Sequence, residues 1–295
     1  MAETSDRHHH HHHEAPDGDE SHHPDNEAFT EANRAHWNNF ASRYTSEEWQ
    51  RDLLNKVTAF IHQHVDWIGV DFIDPSATFE TQSPSSPKRQ VRVLDYACGP
   101  GTITHALGAR ATEYVGIDLS ENMVKAYNMR FNPDSTNTGN TSSSVDGSFG
   151  LDDRLDENLT AHAVVGNLLD PKDPRPSHLA SPKFFDFDLV AVGLGYHHFQ
   201  DIQLATKRLV ERLRPGGVFL ILDFVTHAME ESSDATKERV MHTVAHAGFS
   251  EEELRSYFEA AGLTDFGIVR MDGEVLIRGE VKRRPFLARG RKAQL

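Results

Sequence analysis

The sequence predicts an α/β fold built on a mainly parallel sheet, and three observations carry that prediction. Short apolar runs alternate with helical patterns through most of the chain. One run, Val91 to Ala97, turns through Gly99 and Gly101 straight into a helical pattern that starts at Thr102. Another, Tyr114 to Leu119, carries an acid, Asp118, near its end. Ligands of such sheets sit beyond the carboxyl ends of the strands, and the glycine turn lies at that end.

The elements follow in order. Residues 1–26 are polar, with a histidine run from His8 to His13 and acids behind it, so this N-terminus is expected to be disordered. A helical pattern begins at Glu27, with Trp37, Phe40 and Tyr44 spaced i, i+3, i+7 on one face. Leu53, Leu54, Val57, Phe60 and Ile61 mark a second helix reaching about Trp67, and residues 27–70 read as a helical lid. Residues 76–90 read as a linker. After the glycine turn and the second strand, Ser120 is placed to cap a helix. Residues 132–159 are rich in Ser, Thr, Asn, Asp and Gly and read as a disordered insertion. Strands are expected at Ala161–Val165, Phe187–Gly193, Val218–Phe224, around Phe266–Arg270 and at Phe286–Arg289. Helices are expected at Ile202–Leu213, at Val240–Ala247, and at Glu251–Ala261 between a Ser250 cap and Gly262. The whole of 27–295 reads as one domain, without internal repeats.

Bulk composition narrows the function. The 295 residues carry a net charge of −15, which disfavours a nucleic-acid surface, since phosphate contacts need clustered Lys and Arg. A single cysteine rules out an internal disulfide and fits a reducing compartment. No apolar run is long enough to span a membrane and no signal-peptide core is present, so a cytoplasmic or nuclear location is expected.

The glycine turn, "VLDYACGPGTITHAL", asks which nucleotide it serves. The dinucleotide fingerprint needs a third glycine where Thr104 stands, and no phosphate-binding P-loop occurs. Asp95 would repel a pyrophosphate but can hold a ligand ammonium; the alternative is a buried acid that ties the glycine turn through backbone hydrogen bonds. Asp118 can accept both hydroxyls of a ribose in charge-assisted hydrogen bonds. Ammonium, carboxylate and ribose together describe S-adenosylmethionine.

At these residues the sequence resembles the class I S-adenosylmethionine-dependent methyltransferases, of the small-molecule type related to the ubiquinone/menaquinone methyltransferase group. The matching pieces are "VLDYACGPGTIT", "YVGIDLSENMV", "VVGNLLD", "FDLVAVGLGYHHFQD", "LRPGGVFLILDF" and "HAGFSEEELRSYFEAAGL", in that order between Trp37 and Lys292. The resemblance implies a Rossmann-like, seven-stranded, mostly parallel sheet with a C-terminal antiparallel strand. It implies that Gly99 and Gly101 admit the amino-acid part of the cofactor, and that Asp118 and Leu119 hold the ribose end. Met123 would pack on the adenine, Asn167 would meet its amino group, and Leu168 would cover the ring edge and offer its N–H. Gly193 and Leu194 would lie beside the cofactor, and Tyr44 and Trp37 would wall the site.

The cofactor supplies the electrophile, so the protein chiefly orients the reactants and, for a hydroxyl or amine acceptor, removes a proton. His197 and His198 in "GYHHF" and His246 before "GFSEEEL" are the candidate bases, with His197 preferred. His242 and His246 have a spacing that suits two metal ligands, but a third ligand is not apparent, so no metal is expected. The expected activity is methyl transfer to O, N or S of a small molecule. The competing readings are a protein-directed methyltransferase working with a partner subunit, a non-catalytic binding subunit, and a nicotinamide oxidoreductase.

Overall fold

The computed structural model describes residues 26–44, 46–76, 89–132, 159–227 and 242–294. The expected disordered N-terminus, most of the 76–90 linker and the 132–159 insertion, and the start of the expected Val240–Ala247 helix lie outside the described residues. His242 to Ala247, the described part of that last segment, forms turns and bends instead of a helix. Gly248, at φ +87°, follows directly and suits a turn.

Seven strands form one sheet. They are β1 (Arg92–Tyr96), β2 (Glu113–Asp118), β3 (Thr160–Val165), β4 (Phe187–Gly193), β5 (Leu213–Phe224), β6 (Leu263–Arg270) and β9 (Pro285–Lys292), in the order β3-β2-β1-β4-β5-β9-β6. β1 runs parallel to β2 and β4, β2 to β3, and β4 to β5. β9 alone is antiparallel, to β5 on one side and β6 on the other. A short hairpin, β7 (Val275–Ile277) with β8 (Val281–Arg283), stands apart from the sheet. Nothing in the sequence pattern announced it.

Successive residues of the central strands point to opposite faces, and both faces are buried. Val93, Tyr114 and Leu189 face one core, where they meet α2 (Glu48–Gln63), α4 (Thr102–Leu107) and α5 (Glu121–Phe131). Leu94, Val115 and Val190 face the other, with α6 (Ile202–Val210) and α7 (Glu251–Ala260). Both predicted caps are present. Ser120 Oγ accepts from Met123 N–H at 3.1 Å, and Ser250 and Glu253 form a reciprocal capping box.

The 27–70 segment divides in two. α1 (Asn26–Phe40) lies over the carboxyl ends of the strands and buries only Asn33. α2 is a core helix, because Leu53, Val57, Phe60 and Ile61 give it a continuous apolar face. A short α3 (Val65–Ile68) ends at Gly69, in left-handed conformation. Of this segment, α1 and Tyr44 line the pocket described below, and α2 does not. No helix among the described residues is long and apolar enough to cross a membrane.

Candidate active site

A pocket of about 1020 Å³, its open mouth included, lies between α1 and the carboxyl ends of β1, β2 and β4. Its floor is backbone. Ala97 and Leu194 adopt left-handed φ of +53° and +60°, and Gly99 has φ +50°. Non-glycine residues in that region are strained, and their clustering at strand ends is a common mark of a working site.

Asp118 joins β2 to the glycine turn. Its Oδ2 accepts from Gly99 N–H at 2.8 Å and its Oδ1 from Ser120 N–H at 2.8 Å. Burial pushes its pKa up to about 6, while these backbone donors pull it down. Each oxygen keeps a lone pair for a ligand hydroxyl. Leu119, Met123, Ile117 and Leu169 supply apolar surface at the same end. A diol acceptor, a slot with apolar walls and a glycine turn open to the pocket fit an adenosylated amino acid.

Several predicted site residues sit elsewhere than expected. Asp95 lies under the floor, where its Oδ2 accepts from Thr104 N–H at 3.2 Å and Thr104 Oγ1 at 2.9 Å. That tie positions the first turn of α4, and burial pushes the Asp95 pKa up to about 7. Gly101 faces inward, because a Cβ there would run into the Phe131 ring. Leu168 is buried and its N–H donates to Tyr96 Oη at 3.0 Å, so Leu169 takes the place expected for it at the wall. Asn167 lines the pocket, but its Oδ1 already accepts from Leu169 N–H at 2.8 Å. Gly99, Asp118, Leu119, Met123, Gly193 and Tyr44 all line the pocket. Tyr44, hydrogen-bonded to the Thr102 side chain, has its pKa raised to about 12 by burial. Cys98 also lines it, but burial raises its thiol pKa well above the ordinary value, which disfavours the nucleophilic thiolate.

The three histidines separate clearly. His198 lines the pocket. Its Nδ1 contacts the Thr243 carbonyl, which can only accept, so Nδ1 carries the proton and Nε2 is the free base. Burial, then the neighbouring His197, holds its pKa well below 6.5. Trp37 of α1 stands edge-on to it, ring centroids 5.2 Å apart. His197, the preferred candidate from sequence, is not among the residues that line the pocket. Its Nδ1 meets the fully buried Asp223 Oδ1 at 2.8 Å, and its ring lies 4.1 Å from that of His198. His246 is a buttress, with Nε2 at 3.0 Å from the Phe199 carbonyl and its N–H donating to the His197 carbonyl. Sequence reasoning had no access to Asp223, which reaches the pair from β5.

α1 contributes Phe29, Thr30, Asn33 and Trp37 to the pocket. Exposed polar contacts tether it. Arg34 pairs with Glu121, Asn38 Nδ2 donates to Glu121 Oε2 at 2.8 Å, and Lys172 donates to Glu27 at 3.0 Å. Ser120 Oγ donates to Asn38 Oδ1 at 2.6 Å. Arg34 and Asn38 together lower the Glu121 pKa to about 2.

Residues 70–266 match the family model described as a methyltransferase domain. The chain belongs to this family. An uncharacterized methyltransferase of Schizosaccharomyces pombe is 26% identical over 187 residues, which cover 62% of this chain and 56% of that one. The match thus spans just over half the length of that curated relative. An S-adenosylmethionine-dependent methyltransferase from Anabaena variabilis superposes with a TM-score of 0.53 at 17% identity, over 89% of this chain and 94% of its own. Magnesium protoporphyrin IX methyltransferase from Synechocystis, solved with S-adenosylhomocysteine bound, gives 0.50 at 13%, over 88% and 98%. At such identities the likeness concerns the fold, and the fold of this methyltransferase-family chain is that of the S-adenosylmethionine-dependent enzymes.

Proposed function

We propose that the protein is an S-adenosylmethionine-dependent methyltransferase of the small-molecule type that acts on a small, flat, largely apolar molecule bearing an acidic hydroxyl. A cytoplasmic location suits that role. The observation that carries the reading is the meeting of Asp118 and a fixed-tautomer His198 on one pocket.

The bound cofactor supplies an electrophilic methyl group. The protein's part is placement. The Gly99 turn and Asp118 hold the donor at the floor. Phe29, Trp37, Tyr44 and Phe199 supply aromatic surface for a ring between floor and roof. His198 Nε2 takes the proton released by the acceptor, and the Thr243 carbonyl keeps the proton on Nδ1. A buried histidine of low pKa is neutral at physiological pH but weakly basic, which matches a phenolic or enolic hydroxyl better than an alcohol. The concave, largely apolar lining supports a small acceptor over a protein one.

The test is calorimetric titration of wild type and Asp118→Ala with S-adenosylmethionine, S-adenosylhomocysteine and NAD. The expected result is adenosyl binding in the micromolar range, weakened about 100-fold in the variant. Binding of NAD alone, or of none of the three by folded wild type, overturns the reading. Labelled methyl donor with a panel of phenols then tests the acceptor class.

A further inference from the structure

The roof of the pocket carries a buried hydrogen-bond acceptor that the protein itself does not satisfy. Asn33, on the pocket face of α1, is 6% exposed. Its Nδ2 donates to the Phe29 carbonyl one turn back at 3.2 Å, and its Oδ1 has no partner. A buried, unpaired amide oxygen destabilises a fold, so its retention points to a donor brought in by a ligand. Turning the amide over would not help, because Oδ1 would then face the Phe29 carbonyl.

The tethers of α1 say which end of the pocket Asn33 covers. Glu27 is held at Lys172, a few residues beyond Asn167. Arg34, next to Asn33, is held at Glu121, just beyond Asp118. Trp37 lies at the opposite end, against His198. Asn33 therefore sits between the two tethers, over the Asp118–Asn167 end. With a ribose on Asp118, that end receives the base, between the apolar side chains of Met123 and Leu169. An adenine brings an exocyclic amine that must find an acceptor. Asn167 Oδ1 already accepts from Leu169 N–H and can take at most one of the amine's two hydrogens, which leaves the other for a second acceptor. The backbone N–H of Leu168 is engaged by Tyr96 and is in any case a donor.

We propose that Asn33 Oδ1 accepts a hydrogen bond from the exocyclic amine of the cofactor's adenine, so that the lid helix itself reads the base. This assignment rests on the adenosyl reading above. It makes occupancy of the base end a condition for a satisfied roof. Before the cofactor binds, α1 carries an unpaired acceptor; afterwards it does not.

The experiment is a ligand–residue cycle. Wild type, Asn33→Leu and Asn33→Ala are titrated with S-adenosylhomocysteine and with S-inosylhomocysteine, in which a carbonyl replaces the amine. Asn33→Leu is expected to weaken S-adenosylhomocysteine about tenfold and to leave the inosyl analogue within about twofold. Unliganded Asn33→Leu is expected to melt no lower than wild type, because an orphan acceptor has been removed. Asn33→Ala repeats the cycle with a smaller side chain should leucine disturb the helix. Equal losses for both ligands, or no loss for either, overturn the assignment while leaving the adenosyl reading intact. Wild type that binds neither ligand overturns both.

Discussion

The floor and the roof of this pocket are held by different physics. The floor is tied from within by buried groups: Asp118 to the Gly99 and Ser120 amides, and Asp95 to Thr104, whose hydroxyl lies 2.8 Å from Tyr127 Oη. The roof is one helix held mostly by exposed pairs, Arg34 with Glu121 and Glu27 with Lys172, with one tie inward from Asn38 to the buried Ser120 hydroxyl. A buried polar group loses about 1–3 kcal/mol when its partner goes, whereas exposed ion pairs contribute about 0–1 kcal/mol. The difference shows how the protein can admit a ligand. α1 is therefore expected to open before the glycine turn loosens, since local opening draws on the weakest contacts first.

The comparison can be broken hardest at Gly101. Its φ is +88°, and a Cβ would strike Phe131 beneath the turn. Gly101→Ala is expected to destabilise the protein by roughly 3 kcal/mol or more in urea unfolding. A variant as stable as wild type would mean that the floor is softer than described.

His198 stands where floor and roof meet. His198→Ala is expected to lower kcat by about 100-fold or more and to leave S-adenosylhomocysteine affinity nearly unchanged. Because burial holds the His198 pKa well below 6.5, the wild-type kcat at saturating cofactor should stay level from about pH 7 upward and fall only in acid. A rate that still climbs between pH 7 and about 8 would show that another group is the base.

Asp95 sharpens the floor. Its folded pKa is raised from 3.8 to about 7, so its contribution to stability is full below 3.8 and is lost as pH rises through about 7. Asp95→Asn keeps an acceptor for Thr104 and removes that loss. The variant should gain on wild type as pH is raised from about 5 to about 8, by about 1 kcal/mol or more in thermal unfolding. A difference that does not change with pH would refute the burial argument.

The roof should respond least in global stability. Arg34→Ala is expected to leave the melting temperature within error and to speed amide exchange in α1 alone. Glu121 has its pKa lowered to about 2, so its contribution is present above 4.5 and lost only as pH falls through about 2. The latch should therefore survive mild acid, which α1 exchange at about pH 4 would check.

How far the sequence reveals these regions follows the same division. The strands and the floor are legible because burial on both faces leaves continuous apolar runs, and because a strand, a turn and an acid at the next strand end have a fixed spacing. The roof is less legible. Asn33 is a polar residue on the inner face of α1, and only the geometry of the tethers shows that its oxygen has no partner. The choice between His197 and His198 depends on a single helical turn, Tyr196–His198, that aims adjacent rings differently, and on Asp223 from another strand. For Asp95 the sequence leaves a ligand contact and a tie to the glycine turn both open, and only the structure shows that Thr104 N–H and Oγ1 donate to its Oδ2. The β7–β8 hairpin escaped because its strands are three residues each, too short to show a period.

The reversed strand has a consequence for synthesis. β9 follows β6 in the chain yet lies between β5 and β6. As the polypeptide emerges from the ribosome, β5 presents a bare edge from Val218 to Phe224 until residues 285–291 arrive to pair with it. β6 has no neighbour in the sheet before that moment either. The nascent protein thus carries an open, apolar sheet edge for the time taken to make some sixty further residues, several seconds at about 5–20 residues per second. A stalled or prematurely terminated chain would keep that edge, and would be the form most prone to aggregate.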